Sequence, residues 1–225
     1  MTRAGPTLPP GDILARMDRM YRPQALIYDL TRKCYLLGRD RLIDGVEAGP
    51  GEIVLEVGCG TGRNLVRLGR RHPGVALLGV DAAAPMLAAA ERALRRRRLA
   101  GRARLARGVA ERLDLVELFG LTRPVDHVVV SYTLSMVDDP EAALRAASGA
   151  LRPGGRLHVV DFGDQAGLPA WFRRLLTAWL EGFGVRHRPE VEATLRGFAG
   201  AGLGRLEREE IVGRYALLFR FDKAT

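Results

Sequence analysis

Residues 55–62 combine a short apolar run with alternating glycines and one carboxylate. Gly58, Gly60 and Gly62 follow the run "LEV", and Glu56 lies two positions before the first glycine. Glycine allows the backbone to bend sharply and to approach a ligand closely. Free N–H groups at the start of a following helix attract an anionic group such as a carboxylate, whereas Glu56 would repel a pyrophosphate and accept a hydrogen bond from an ammonium group. The turn therefore predicts a small-molecule site, and its spacing differs from the G-x-G-x-x-G of dinucleotide sites.

Strand-like and helix-like segments alternate on both sides of this turn. Apolar runs typical of strands lie at 53–57, 75–80, 103–107, 125–131 and 155–162, and helical patterns lie at 62–71, 84–99, 111–118 and 140–150. Such alternation indicates a mostly parallel sheet with helices on both faces. "LRPGG" at 151–155 predicts the end of a helix and a turn, and the tail predicts two antiparallel strands joined near Gly213.

The length of 225 residues suits one domain. We expect a flexible, Pro/Gly-rich segment at 1–11 and one domain over 12–225. Within it, 12–50 form a helical cap or lid, 51–162 the ligand-binding core, 163–200 a helical segment that faces the substrate or a membrane, and 201–225 the hairpin.

Composition and charge restrict the class of protein. The chain is 47% apolar and 27% charged, and its start has no apolar core of a signal peptide. Two cysteines without metal-ligand spacing predict no metal site and favour a cytoplasmic location. A net charge of +9 favours anionic partners, either nucleic acid or a membrane face. Aromatic residues are not interleaved with the basic ones, so nucleic acid is not the expected partner.

The glycine turn resembles the S-adenosylmethionine turn of class I methyltransferases, E/D-x-G-x-G-x-G. "LGVD" ends the second strand with Asp81, about 20 residues after the turn, where such folds place a carboxylate on the ribose. "DAAAPML" and "GVAERL" resemble the segments that flank the ribose and adenine in that family. The resemblance implies a Rossmann-like fold with a seven-stranded sheet, a C-terminal antiparallel hairpin and S-adenosylmethionine as the methyl donor. It implies donor contacts at Glu56, Gly58, Gly60, Asp81, Ala82, Met86, Ala110, Glu111 and Ser131.

The acceptor is indicated by other segments. "SYTLSMV" at 131–137 lacks the N/D-P-P-Y/F of enzymes that methylate base amines. Together with 17–43 and 159–180 it resembles the bacterial betaine-lipid N-methyltransferases, which convert diacylglycerylhomoserine to its trimethylated form. That resemblance implies a lipid substrate at the inner face of the cytoplasmic membrane and a partner enzyme that makes diacylglycerylhomoserine. A phosphatidylethanolamine N-methyltransferase and a quinone or small-molecule methyltransferase remain alternatives, since "YDLTRKCYLLG" also resembles quinone C-methyltransferases.

Methyl transfer to an amine needs a neutral nitrogen, so a base must take its proton. We predict Tyr132, Tyr28 and Asp29 as the catalytic residues, with His187 as a weaker candidate base. Aromatic faces hold the methylated cation, and a cation must hold the homoserine carboxylate, which gives the predicted substrate-binding residues Tyr21, Arg32, Tyr35 and Arg173. The tyrosines of the first helices also fit ordinary packing, and Tyr28 and Asp29 also fit a contact with the donor.

Two basic segments suit anionic phospholipid headgroups. Trp171, Phe172, Leu175, Leu176, Trp179 and Leu180 recur at helical spacing beside Arg173 and Arg174. This pattern fits a helix at a bilayer interface and equally a cap helix packed on the sheet edge. The arginine-rich run at 91–104 fits a solvated helix face or a headgroup site.

Overall fold

The computed structural model describes Leu14 and residues 36–182, 185 and 187–225 of the chain. The predicted cap therefore lies mostly outside the described residues. A 3-10 turn at Ala100–Arg102 precedes the third strand. The elements in chain order are α1 (Arg39–Asp44), β1 (Ile53–Val57), α2 (Arg63–Arg71), β2 (Ala76–Asp81), α3 (Ala84–Arg96), β3 (Ala103–Arg107), α4 (Leu115–Phe119), β4 (Val125–Ser131), α5 (Pro140–Ala150), β5 (Leu151–Phe162), α6 (Ala170–Glu181), α7 (Pro189–Gly200), β6 (Gly204–Ile211) and β7 (Ala216–Lys223).

The described strands form a seven-stranded sheet in the order β3-β2-β1-β4-β5-β7-β6. Strands β1 to β5 pair in parallel, and β7 pairs antiparallel with both β5 and β6. The predicted α/β class, the parallel sheet and the C-terminal hairpin are confirmed. The strand order reverses between β1 and β4, and in open α/β sheets ligands bind at the carboxyl ends of the strands beside such a reversal.

The central strands are buried on both faces. All five residues of β1 are buried, as are six of the seven residues of β4. Neighbouring residues of β4 contribute to opposite cores: Val128 packs in the core that contains Leu144 of α5, and Val129 in the core that contains Leu65 of α2. Continuous Val, Ile and Leu runs are typical of such parallel strands. The strands in this part of the chain could therefore be predicted from the sequence alone.

The segment "LRPGG" differs from its prediction as a simple turn. The structure begins β5 at Leu151, which pairs with Val125, and the register then shifts so that His127 faces Arg156. The additional residues on β5 form an irregularity in which Gly154 has a φ of 70°. A bulge of this kind lets a strand continue through residues that lack a ladder partner.

The helix bounds differ from prediction chiefly at α4. The sequence predicted a helix over 111–118, but α4 begins after Asp114, whose side chain accepts hydrogen bonds from Val116 N (2.9 Å) and Glu117 N (3.0 Å). An aspartate that caps the first turn fixes the start of a helix. Residues 108–113 are consequently left as a loop beside the carboxyl end of β3. Within the described part of the chain, no helix is long and apolar enough to cross a bilayer.

Candidate active site

The glycine turn connects the carboxyl end of β1 to the start of α2. Gly58, Gly60 and Gly62 have φ values of 71°, 53° and 77°, a region that residues with a side chain rarely adopt. Gly58 N and Cys59 N both donate to Val80 O, at 2.8 and 3.0 Å. The turn is therefore fixed against the end of β2.

The three glycines are needed for different reasons. A Cβ atom on Gly58 would lie 2.2 Å from Thr133 Oγ1, and one on Gly62 would lie 2.9 Å from Ala90 Cβ. A Cβ atom on Gly60 would meet nothing within 4 Å. Gly58 and Gly62 thus permit close packing of the turn, whereas Gly60 borders open space that a ligand can enter.

Glu56 is 1% exposed, and only one of its carboxyl oxygens is satisfied by the described residues. Its Oε1 accepts a hydrogen bond from Asn64 Nδ2 at 2.7 Å, while Oε2 is buried with no partner among them. Burial raises the pKa of Glu56 to about 8. A cationic ligand group beside Oε2 would satisfy this oxygen and stabilise the ionised carboxylate.

Further unsatisfied polar atoms surround the same space. Asn64 Oδ1, Ser131 Oγ and Arg63 Nη1 are buried without a hydrogen-bond partner among the described residues, although Arg63 Nη2 pairs with Asp40 at 2.8 Å. Buried polar atoms are rarely left unpaired in a native protein. The space fits a ligand group with both donors and acceptors, and its lining consists of Leu36, Arg39, Glu56, Gly58, Cys59, Gly60, Thr61, Arg63, Asn64 and Ser131.

Asp81 connects β2 to the turn through its side chain. Its Oδ2 accepts from Gly60 N at 2.7 Å and its Oδ1 accepts from Ala83 N at 2.9 Å. The half-buried carboxylate thereby places the turn next to the start of α3. Its role on a ribose stays a prediction.

The remaining predicted donor residues lie on the elements that follow β2 and β3. Ala82 precedes α3 and the buried Met86 lies in its first turn, and the Ala82 carbonyl accepts from Arg107 Nε at 3.1 Å. The loop with Ala110 and Glu111 follows β3 and is joined to β2 by a bond from Gly108 N to Asp81 O of 3.1 Å. The carboxyl ends of β1 to β4 thus bring these residues to one edge of the sheet.

Tyr132, the first residue after β4, is held tightly. Its N–H donates to Val160 O at 2.8 Å, its hydroxyl donates to Leu37 O, and its ring packs edge-on against Phe162 with centroids 4.7 Å apart. Burial raises the pKa of the Tyr132 phenol well above its usual range. A protonated phenol that already donates to a carbonyl is a poor base. This geometry instead favours a role for Tyr132 in positioning Leu37, which precedes α1.

The acceptor residues predicted in the first helices, Tyr21, Tyr28, Asp29, Arg32 and Tyr35, lie outside the described residues. The remaining predicted substrate residue, Arg173, is on α6 and lines a cavity of about 610 Å³. His187 also lines it and contacts Phe162 O through Nδ1 at 3.1 Å. The other lining residues are Phe162, Gly163, Asp164, Gln165, Arg174, Thr177, Ala178, Leu180 and Val185.

Sequence reasoning missed two residues beside the glycine turn. Asn64 follows the glycine turn by two positions and binds Glu56, and Thr133 packs against Gly58 while its hydroxyl donates to Val57 O at 3.1 Å. A polar residue on the first turn of α2 is a local signal for the former. The latter depends on the pairing of β1 with β4, which spacing along the chain does not reveal. Among the residues described, no group of three or more His, Cys, Asp or Glu side chains is arranged to hold a metal ion.

Comparison with known proteins agrees with this geometry. The family profile of the methyltransferase domain matches residues 55–157. A demethylmenaquinone methyltransferase of Beutenbergia cavernae is 33% identical over 190 residues, which are 81% of this chain and 70% of the relative. One of Mycolicibacterium paratuberculosis is 32% identical over 167 residues, 72% of this chain and 64% of the relative. The chain therefore spans about two thirds of the length of these curated relatives.

Solved structures show the same fold. The YcgJ protein of Bacillus subtilis superimposes with a TM-score of 0.64 at 16% identity, covering 84% of this chain and 98% of that one. The relative that is 33% identical and covered to 70%, together with the methyltransferase-domain profile, shows that the chain belongs to the class I S-adenosylmethionine-dependent methyltransferases. Membership of this family implies S-adenosylmethionine as the methyl donor, and the unsatisfied buried atoms at the turn fit its amino-acid group.

Proposed function

We propose that this methyltransferase transfers methyl groups to the amino nitrogen of a lipid headgroup, with diacylglycerylhomoserine as the acceptor and its trimethylated betaine as the product. The observation that carries the proposal is the cavity beside α6. Its walls combine the apolar Phe162, Leu180 and Val185 with the guanidinium groups of Arg173 and Arg174. This lining suits an amphiphile with a carboxylate, which the homoserine headgroup has. The resemblance of 17–43, 131–137 and 159–180 to betaine-lipid N-methyltransferases supports the same acceptor.

S-adenosylmethionine supplies an electrophilic methyl group on a sulfonium. The residues of the chain hold this donor and orient the acceptor, and orientation alone can contribute roughly 7–11 kcal/mol to the rate. Glu56, Asn64 and Ser131 would bind the amino-acid end through the atoms that lack partners among the described residues. Asp81 would bind the ribose while it keeps Gly60 in place.

The proton of the acceptor ammonium needs a base. Tyr132 is a poor candidate because of its bond to Leu37 O and its raised pKa. Asp29 and Tyr28 remain the proposed bases, with Arg173 as the proposed partner of the headgroup carboxylate. Tyr21, Tyr35 and Arg32 remain proposed contacts of the acceptor. A separate enzyme that supplies diacylglycerylhomoserine would be the functional partner.

A quinone is the second candidate acceptor. The two relatives described above are named demethylmenaquinone methyltransferases, and the similarity to one covers 81% of this chain. Since the methyltransferase-domain profile matches only residues 55–157, that similarity includes segments outside the matched core. In a quinone acceptor, a ring carbon and not an amine nitrogen would receive the methyl group.

The test is methyl transfer from labelled S-adenosylmethionine to vesicles that contain diacylglycerylhomoserine, phosphatidylethanolamine or reduced demethylmenaquinone. Our proposal predicts label in the homoserine lipid, with the mono-, di- and trimethylated forms resolved by mass spectrometry. Label only in the quinone or only in the phospholipid would overturn the proposed acceptor. An Asp81→Ala variant serves as the control for transfer that depends on the donor site.

A further inference from the structure

One side of α6 exposes large apolar side chains to solvent. Trp171 is 70% exposed and Leu175 is 64% exposed, and Phe172 packs edge-on against Trp171 with centroids 5.6 Å apart. We call Trp171, Phe172 and Leu175 the α6 stripe. Trp179 continues it by one turn. Contiguous exposed apolar surface of this kind marks an interaction site more often than scattered single residues do.

The opposite side of α6 joins the helix to the domain. Leu180 is buried and Leu176 packs against the same core, while Thr177 and Ala178 line the cavity beside the end of β5. The expectation of a cap helix packed on the sheet is therefore met by Leu176 and Leu180, which leaves the function of the α6 stripe to be explained. The cap-helix interpretation and the bilayer-interface interpretation are compatible, because the residues that support them lie on different sides of one helix.

The dimensions of the stripe argue against a second copy of the chain as its partner. α6 has 12 residues, about 18 Å of helix. Three side chains on such a helix provide a few hundred Å² at most, whereas stable interfaces bury about 800 Å² on each partner. A bilayer interface has no such minimum, because an amphipathic helix binds by apolar insertion together with electrostatic attraction.

Charge indicates which kind of surface is bound. Arg173 and Arg174 lie between Phe172 and Leu175 on the helix, and the whole chain carries a net charge of +9. Tryptophan and arginine at one level are typical of membrane interfaces. The arginines at the end of α3 lie elsewhere, since a helix between parallel strands β2 and β3 ends at the amino edge of the sheet. The cavity and α6 follow the carboxyl end of β5.

We infer that the α6 stripe docks the protein on an anionic bilayer, with Trp171, Phe172 and Leu175 at the level of the headgroups. Docking through this side leaves the cavity behind the helix close to the lipid surface, from which an acceptor would enter. The importance of that entry rests on the proposed function, but the docking itself does not.

The experiment uses the full-length Trp179→Phe variant. The chain has two tryptophans, so Trp171 becomes the one fluorophore of this type. Titration with vesicles of phosphatidylglycerol and phosphatidylcholine, without any acceptor lipid, should shift its emission to the blue. Brominated acyl chains should quench it. An unchanged emission at saturating vesicles, or a blue shift produced by raising the protein concentration alone, would overturn the inference.

A matched pair of substitutions separates insertion from general attraction. Leu175→Glu and Leu203→Glu change charge equally, and Leu203 is 51% exposed outside α6. Leu175→Glu should lower sedimentation with the vesicles by about tenfold or more, whereas Leu203→Glu should lower it much less. Equal losses of vesicle binding in the two variants would contradict docking through α6. So would binding of the unchanged protein to RNA that is as strong as its binding to the vesicles at matched salt. Since no acceptor is present, failure here and failure of the acceptor assay are distinguishable.

Discussion

The glycine turn and α6 border the same edge of the sheet but are built in opposite ways. The turn is fixed by backbone bonds to β2, by the Asp81 carboxylate and by contacts with Thr133 and Ala90 that leave no room for a methyl group. Most residues of α6 are exposed, and it is attached through Leu176 and Leu180. The turn is therefore held in one rigid geometry, whereas α6 is attached to the fold by few contacts.

This contrast has an energetic meaning. We expect changes at the turn to affect both folding and donor binding, because the same atoms would serve both. Changes on the exposed side of α6 should leave the free energy of unfolding almost unchanged, since exposed positions seldom alter stability by more than about 0.5 kcal/mol. Each of the following substitutions tests one part of this contrast.

The largest effect is expected from Gly58→Ala. The new methyl group would lie 2.2 Å from Thr133 Oγ1 and 2.9 Å from Thr133 Cβ at a φ of 71°, so both overpacking and backbone strain apply. We expect a loss of about 4 kcal/mol in the free energy of unfolding, measured by urea denaturation. Gly149→Ala in α5 is the control, because its Cβ meets nothing within 4 Å. Similar losses in both variants would show that the turn is not specially constrained.

Glu56→Gln should stabilise the ligand-free protein at neutral pH while it weakens donor binding. The pKa of Glu56 is raised from 4.5 to about 8. Between these values the unfolded chain ionises and the folded chain stays protonated, so wild-type stability falls as pH rises and the variant escapes that loss. The stability difference should grow by roughly 2 kcal/mol between pH 5 and pH 7. Parallel stability curves for the two proteins would refute a protonated Glu56.

Tyr132→Phe removes the hydroxyl that donates to Leu37 O. We expect a loss of about 1 kcal/mol in stability and slower transfer, with the donor affinity largely retained, because Tyr132 does not line the space at the turn. Donor affinity by calorimetry and turnover with labelled donor separate the two effects. An equal loss of donor affinity in Tyr132→Phe and Asp81→Ala would contradict this division of roles.

Arg173→Gln should have the smallest effect. Arg173 is exposed at the cavity, and charge interactions in water are worth about 0.2–1 kcal/mol. We expect the KM for the acceptor to rise several-fold with the donor affinity and the stability unchanged. Arg95→Gln is the control, since Arg95 pairs with Glu91 on the same helix, α3, and does not line the cavity beside α6. An unchanged KM would remove Arg173 from the proposed headgroup site.

The strands and the glycine turn could be predicted from the sequence, whereas contacts between distant segments could not, for a physical reason. Runs such as 53–57 and 125–131 are strands because they are buried on both faces, and the glycine spacing is a local requirement of the turn. The shifted start of α4 depends on one capping side chain, Asp114. The contact of Thr133 with Gly58 and the bond of Tyr132 to Leu37 O join distant parts of the chain. Periodicity carries no information on such contacts.

The most direct test of the donor site is calorimetry of S-adenosylmethionine binding in two buffers that differ in ionisation enthalpy. We predict one equivalent bound per chain, with release of protons at pH 7 as Glu56 changes from protonated to ionised beside the ligand ammonium. Glu56→Gln should bind more weakly and lose this proton release. Binding without proton release, at the same affinity in both proteins, would contradict the assignment of Glu56 and of the glycine turn as the donor site.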